Sequence, residues 1–319
     1  MRNTPQERRQ WVVQQMQQGW RYLRSGWRPQ AIAAAFFLLT AVIIGSILLA
    51  NRSTFAEYRR QMRPVWLLYA LALVVAIFVL SAGVWHLLVA RLAGYNSWRR
   101  NLKNWGYAGL AKRLPGPVWY IGSRALLYEE QGLNKRMTSL LSALELVLIL
   151  LSGITTFLLT LPFWVLPEAV SARLSASWFL LILLPLCILL VHPRFLEALW
   201  HKVSRQLVPR RLLWRDTISW LFYYVFIWLI GAGVLFSVIN VFQPLPVSEL
   251  IPVAGMWVIA NTISLAGTLT LTGVGLREIS LVLLLSQLVP APVAVLIAIV
   301  VRVLWMGGDL LGALLSLLL

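Results

Sequence analysis

The sequence has few acidic residues, little charge of any kind and a single cysteine. Only 11 of its 319 residues are Asp or Glu, and charged residues make up 12% of the chain, whereas about a quarter of a soluble domain is charged. The one cysteine, Cys187, excludes a disulfide framework within one chain and a cysteine-rich metal site. These shortages argue against a soluble or disulfide-stabilised domain.

The sequence is instead rich in apolar residues and in basic residues. Hydrophobic residues make up 60% of the chain and the mean hydropathy is +0.77, which is more apolar surface than a soluble protein of this size could bury. The formal net charge is +17, and the basic residues cluster between apolar runs, as in loops that lie on anionic lipid. We therefore expect an integral membrane protein that binds no nucleic acid.

Long apolar runs indicate transmembrane helices, because a helix needs about 20 apolar residues to cross a bilayer. Such runs occur at 31–50, 65–90, 137–160, 177–191, 217–240, 250–271 and 279–318. Pro290 and Pro292 interrupt the last run, which is too long for one span, so we divide it into two helices that meet at 289–292. The expected fold is all-α, a polytopic transmembrane helical bundle of about eight hydrophobic helices.

The basic segments 1–30, 91–136 and 192–215 are separated from one another by two spans each. Because Lys and Arg are enriched in cytoplasmic loops, we expect all three segments, and the N-terminus, on the cytoplasmic side. One loop disagrees, since 51–63 carries four arginines but falls on the outer side.

The chain is expected to form one transmembrane domain over 31–319, with halves at roughly 31–160 and 177–319. We interpret residues 1–30 as a basic, interfacial N-terminal segment, with a disordered tail as the alternative. The apolar run that follows is longer than the core of a cleavable signal peptide, so we expect it to be retained.

Two stretches fit neither a span nor an ordinary loop. Residues 105–136 are too polar to span and too apolar for a loop, and 265–278 end an apolar run in glycine, threonine and a charged pair. Irregular backbone at membrane depth is tolerated only where protein or a water-filled cavity satisfies it. We expect two re-entrant or broken segments, with a loop folded on the surface as the alternative for the first.

Both halves continue in the same order after the break. Gly-x-Arg, ending at Arg124 or Arg277, is followed by a helix and then by an intramembrane charge, Glu145 or Arg302. Paired interruptions at corresponding positions are typical of a transport site. The pattern predicts a weak internal repeat.

At these segments the sequence resembles the lysylphosphatidylglycerol synthase transmembrane-region family, a flippase-like integral membrane domain. The matching residues are Leu114, Pro115, Gly116, Gly122, Ser123, Arg124, Gly132 and Glu145 in the first half, and 272–278 with Arg302 in the second. The resemblance implies an integral plasma (inner) membrane protein that handles or translocates lipid. Aminoacyl transfer in that family belongs to a separate soluble domain, which we expect this chain to lack.

Candidate substrate-binding residues surround the second break. Arg277 and Glu278 begin a helix after Gly273 and Gly275, and a helix N-terminus together with arginine suits a phosphate. We hypothesise that these residues and Arg124 hold an anionic lipid headgroup. The alternative is that Arg277 pairs with Glu278 or another acid to close the bundle.

Glu145 and Arg302 lie in the middle of spans, where an unpaired charge costs a few kcal/mol or more. We expect them to neutralise each other, or Glu145 to pair with Arg124 or Arg277. A gate or proton-coupling role for Glu145 is the functional alternative.

Lys112 and Arg113 precede the first break. They are candidates for binding lipid phosphate at the cytoplasmic mouth, with snorkelling to headgroups as the alternative.

No catalytic motif is evident, and the 3 histidines lack the spacing of a zinc protease. We expect no metal or other cofactor, and lipid or lipid-linked substrate translocation without ATP. A membrane-embedded enzyme acting on a lipid and a non-catalytic scaffold for a partner enzyme are the alternatives. The expected partners are membrane lipids with anionic headgroups, and a partner enzyme or a second copy of the chain.

Overall fold

The computed structural model describes residues 62–111, 117–163, 189–204, 211–269 and 276–317, with four isolated positions before them. Regular secondary structure within these residues is helical throughout. Its α-helices are α1 (Val65–Ala93), α2 (Trp98–Ala111), α3 (Pro117–Glu129), α4 (Lys135–Thr160), α5 (Pro193–Ser204), α6 (Trp214–Phe242), α7 (Leu250–Leu269), α8 (Leu276–Leu285) and α9 (Ala291–Leu317). All of them belong to one compact unit, Ser53–Leu319.

Five helical stretches in the described residues are long and apolar enough to cross a membrane. They are Val65–Ala93, Lys135–Phe163, Trp214–Phe242, Val247–Leu265 and Ala291–Ser316. The first four confirm spans predicted at these positions, and the fifth is the second part of the divided run. The predicted spans at 31–50 and 177–191 fall almost wholly outside the described residues. The described part is an all-α, multi-pass integral membrane protein.

The long C-terminal run divides at its prolines, as predicted. α8 ends at Leu285, and α9 begins at Ala291, directly after Pro290. Pro292 lies in the first turn of α9, where its missing N–H would have had no helical partner. α8 has 10 residues and is about 15 Å long, half the thickness of the hydrocarbon core. The run thus gives one short helix and one spanning helix.

The stretch 105–136, which was expected to be re-entrant or broken, is mostly helical in its described part. α2 and α3 flank 112–116, which lie outside the described residues, and a turn at Gly132 (φ 87°) leads into α4. The Asn134 side chain caps α4 by accepting from the Arg136 backbone N–H at 2.8 Å. Helices satisfy their own backbone hydrogen bonds, which is what membrane depth requires.

α1 and α6 run antiparallel, and the contacts at their ends show which loops lie at the same end of the bundle. Arg91 Nε lies 2.9 Å from Asp216 Oδ2, and the Arg63 backbone N–H donates to the Val241 carbonyl oxygen at 2.8 Å. The first contact places the second and third basic segments at the same end of the bundle, as predicted. The second places Arg63, the end of the exceptional basic loop, at the opposite end. Which end faces the cytoplasm stays a prediction.

Two apolar cores lie along these helices. One joins the N-terminal part of α1 with the C-terminal part of α6 and with α7, α8 and α9. The other joins the C-terminal part of α1 with α4 and the N-terminal part of α6. α2 packs against α9, where a Cβ on Gly106 would lie only 2.9 Å from the Gly312 carbonyl oxygen. Because Gly106 has no side chain, the two helices can approach each other closely.

The same order of elements occurs twice along the chain. In the first half α2 is followed by five residues outside the description, then by short α3 and spanning α4. In the second half α7, six such residues, short α8 and spanning α9 follow in the same order. This is the order from which the weak internal repeat was predicted, and it brings the arginine of each Gly-x-Arg motif onto a short helix.

Candidate functional site

The first charged cluster lies between α3 and α4. Arg124 Nη1 donates to Glu145 Oε2, and the two side chains are 0% and 2% exposed. The predicted pairing of Glu145 with Arg124 is confirmed. The alternative pairing with Arg302 is wrong, because Arg302 contacts Glu278. Each charge instead meets a partner on the short helix that precedes its own helix in the chain.

The Arg124 guanidinium lies between two aromatic rings. Its Cζ is 3.8 Å from the centre of the Trp85 ring and 4.1 Å from that of Tyr120. Cation–π contacts are strongest where the cation is removed from water. Nε and Nη2 of Arg124 have no hydrogen-bond partner among the described residues. Glu145 and the two rings therefore hold this cation.

The Glu145 carboxylate accepts hydrogen bonds from two further side chains besides Arg124. The Tyr120 hydroxyl donates to Oε2 at 3.0 Å, and the Tyr224 hydroxyl donates to Oε1 at 3.1 Å. Tyr120 belongs to α3 and Tyr224 to α6. Since hydrogen bonds to an ionised acceptor are among the stronger ones, one carboxylate of α4 joins three helices.

A series of neutral polar side chains leads from this cluster to α2. Trp85 Nε1 donates to the Tyr128 hydroxyl at 2.7 Å, and that hydroxyl donates to Asn101 Oδ1 at 2.6 Å. Asn101 Nδ2 lies 2.7 Å from His86 Nδ1. Burial raises the pKa of the Tyr128 phenol, so that it keeps its proton and remains a donor. These contacts hold α1, α2 and α3 together around the ion pair.

Sequence reasoning did not find the aromatic part of the first cluster. Tyr120, Arg124 and Tyr128 are spaced four residues apart, which places them on one face of a helix. That spacing was the available signal. Trp85 and Tyr224 come from helices remote in sequence, and nothing distinguishes them from the many other aromatic residues of the spans.

The second charged cluster lies between α8 and α9. Glu278 Oε1 is 3.1 Å from Arg302 Nη1 and 3.4 Å from Arg277 Nη2, and the Arg277, Glu278 and Arg302 side chains are 18%, 24% and 30% exposed. The predicted pairing of Arg277 with Glu278 is confirmed. Two guanidinium groups therefore meet one carboxylate at partly accessible positions, in contrast to the buried pair of the first cluster.

The remaining four predicted site residues belong to the two interruptions at 112–116 and 270–275. Lys112, Arg113, Gly273 and Gly275 lie outside the described residues. Among the residues that are described, no group of three or more His, Cys, Asp or Glu side chains is arranged to hold a metal ion.

Comparison with known proteins does not assign the chain to a family. No protein-family model matches it, and neither does any curated protein. The resemblance to the lysylphosphatidylglycerol synthase transmembrane-region family therefore rests on its motifs. The charged residues of those motifs are Arg124 and Glu145 in the first cluster, and Arg277, Glu278 and Arg302 in the second.

Proposed function

We propose that this integral membrane protein translocates a lipid or a lipid-linked substrate with an anionic headgroup. We further propose that the headgroup binds at the cluster formed by Arg277, Glu278 and Arg302. The observation that carries the proposal is the meeting of two arginines at one carboxylate, with all three side chains partly exposed. Arg302 lies within the span Ala291–Ser316.

The position of Arg302 supports a functional role. An arginine at the centre of a bilayer costs about 2.5–3.5 kcal/mol or more, so such residues mark substrate pathways by default. The pair of Arg124 and Glu145, by contrast, is almost completely buried. The Arg302 side chain is 30% exposed, which leaves it accessible where Arg124 is not.

The chemistry of the second cluster suits a phosphate. Arginine can grip a phosphate with two parallel hydrogen bonds. Arg277 is the second residue of α8, and the free N–H groups of a helix N-terminus favour an anion. Glu278 holds the two arginines when no ligand is bound, and a phosphate would compete with it. Such competition favours reversible binding, which transport needs.

The other predicted site residues have distinct places in this proposal. Gly273 and Gly275 lie in the break directly before α8 and would let a headgroup approach its N-terminus. Lys112 and Arg113, in the first break, stay proposed contacts for lipid phosphate at the cytoplasmic mouth. The buried ion pair of the first cluster has a positioning role, because it holds α3, α4 and α6 together.

Lipid transfer in vesicles tests the proposal. The purified protein would be reconstituted with fluorescent phosphatidylglycerol, and dithionite would report the label that reaches the outer leaflet. We expect wild type to transfer label faster than protein-free vesicles. Arg302→Gln should slow transfer about tenfold, which corresponds to about 1.4 kcal/mol. Arg215→Gln removes an exposed arginine of α6 and should leave the rate unchanged. Equal rates for wild type, Arg302→Gln and empty vesicles would overturn the proposal.

A further inference from the structure

An apolar groove of about 330 Å³ opens on the surface between α1 and α6. Its α1 wall includes Val79, Gly83 and Leu87, which recur every four residues on one helix face, and its α6 wall includes Tyr223 and Phe226. Apart from Gly83, these side chains are between 42% and 47% exposed. Large apolar side chains that stay open along two spanning helices indicate a groove that faces the hydrocarbon of the bilayer.

Trp98 of α2 also lines the groove. The left-handed residue Gly94 (φ 71°) reverses the chain after α1, so that α2 begins beside it. The Trp98 ring packs edge-on against His86 at 5.4 Å between ring centres. A Cβ on Gly83 would lie 3.9 Å from the Trp98 ring. The missing side chain at Gly83 therefore leaves space beneath a tryptophan, an amphipathic residue enriched at membrane interfaces.

Positive charge follows directly after Trp98. Arg99 and Arg100 are both exposed in the first turn of α2. Exposed arginines at a membrane surface attract anionic lipid. The groove is thus apolar along the spans, and two exposed arginines follow its lining residue Trp98 in the sequence. A phospholipid has the same order, from apolar tails to an anionic headgroup.

We propose that this groove binds one acyl chain of an anionic phospholipid, whose phosphate contacts Arg99 and Arg100. The walls are helices that span the membrane, so the available occupant is hydrocarbon. The volume is within the range of small-molecule pockets, about 300–1,000 Å³. Charge complementarity with the two arginines selects an anionic headgroup over a zwitterionic one. The site does not depend on the translocation proposed above, because it uses neither charged cluster.

Native mass spectrometry with added lipid tests the acyl-chain contact. The purified full chain would be titrated with palmitoyl-oleoyl phosphatidylglycerol, and the bound lipids counted. Gly83→Leu places a side chain in the groove and should remove one retained lipid. Gly307→Leu makes the same change on α9, where a Cβ meets no atom within 4 Å, and should retain it. Equal lipid counts for wild type and Gly83→Leu would overturn the proposal.

The headgroup contact is tested by comparison with palmitoyl-oleoyl phosphatidylcholine. Wild type should retain more phosphatidylglycerol than phosphatidylcholine. In the double variant Arg99→Ala/Arg100→Ala the ratio of the two retained lipids should fall about tenfold. Arg63→Ala, which removes an exposed arginine at the opposite end of the bundle, should keep the wild-type ratio. An unchanged preference in the double variant would contradict the assignment. So would a wild-type dimer that Gly83→Leu converts to a monomer, since a second copy would then fill the groove.

Discussion

Arg124 and Glu145 form an ion pair that is almost completely closed off, between a short helix and the spanning helix that follows it. Glu278 and Arg302 form a second pair at 3.1 Å between the corresponding helices of the other half, with the two charges exchanged. Each motif therefore neutralises its intramembrane charge within its own hairpin. The two pairs differ in how exposed their side chains are. We therefore assign a positioning role to the buried pair and a binding role to the partly exposed pair.

Breaking the buried pair should destabilise the protein strongly. Arg124→Met leaves the Glu145 carboxylate buried without its cation, and we expect it to lower the free energy of unfolding by about 3–5 kcal/mol. The measurement is an SDS titration in mixed micelles. Arg91→Met is the control, because it breaks a partly exposed pair worth about 0–1 kcal/mol. Equal losses for the two variants would contradict the assigned role of the buried pair.

The hydroxyl of Tyr224 should contribute to the stability of the fold, and that of Tyr223 should not. Tyr224→Phe removes a hydrogen bond to the Glu145 carboxylate, and bonds to charged groups contribute about 1.5–3 kcal/mol. Tyr223→Phe makes the same change at a side chain that is 42% exposed and should be neutral. Thermal unfolding of both variants in one detergent distinguishes them. If they unfold together, the Tyr224 contact does not stabilise the fold.

Two glycines of α9 should respond oppositely to alanine. A Cβ on Gly312 would overlap the Phe78 ring, so Gly312→Ala should cost about 1–3 kcal/mol through overpacking. A Cβ on Gly307 meets nothing within 4 Å, so Gly307→Ala should be neutral or stabilise by up to about 1 kcal/mol. Unfolding temperatures measure both effects. A neutral Gly312→Ala would show that α1 and α9 do not pack as described.

Cysteine labelling in membrane vesicles tests the order of the loops. In a Cys187→Ser background, Arg136→Cys and Lys202→Cys should react with an impermeant reagent from the same side. Val247→Cys should react from the other, because α1 and α6 are antiparallel. All three positions are exposed. Labelling of Val247→Cys together with the other two would contradict this topology, and the side that reacts identifies the cytoplasmic end.

The spans were predictable because hydrocarbon thickness fixes how long an apolar helix must be. The division of the last run was also predictable, since Pro290 cannot continue a helix and Pro292 can only begin one. The extent of helix in 105–136 was not. Its glycines and polar residues suggest irregular backbone, but Tyr120, Arg124 and Tyr128 are buried on one helical face, where packing overrides local propensity.

The charged residues of the site could be found from the sequence, but their partners could not be chosen. Glu145 and Arg302 are complementary charges in the middle of spans, and only the contacts between helices show that their partners are Arg124 and Glu278. The aromatic surroundings of Arg124 were out of reach because Trp85 comes from a helix that is not adjacent in sequence. Long-range packing of this kind leaves no local pattern.

Selectivity for anionic lipid is the most direct test of the central claim. Transfer rates of fluorescent phosphatidylglycerol and phosphatidylcholine would be measured in the same vesicles for wild type, Arg302→Gln and Arg215→Gln. We predict that wild type and Arg215→Gln transfer phosphatidylglycerol faster than phosphatidylcholine, and that Arg302→Gln reduces this ratio about tenfold. A ratio that is the same in all three proteins would contradict a headgroup site at Arg277, Glu278 and Arg302.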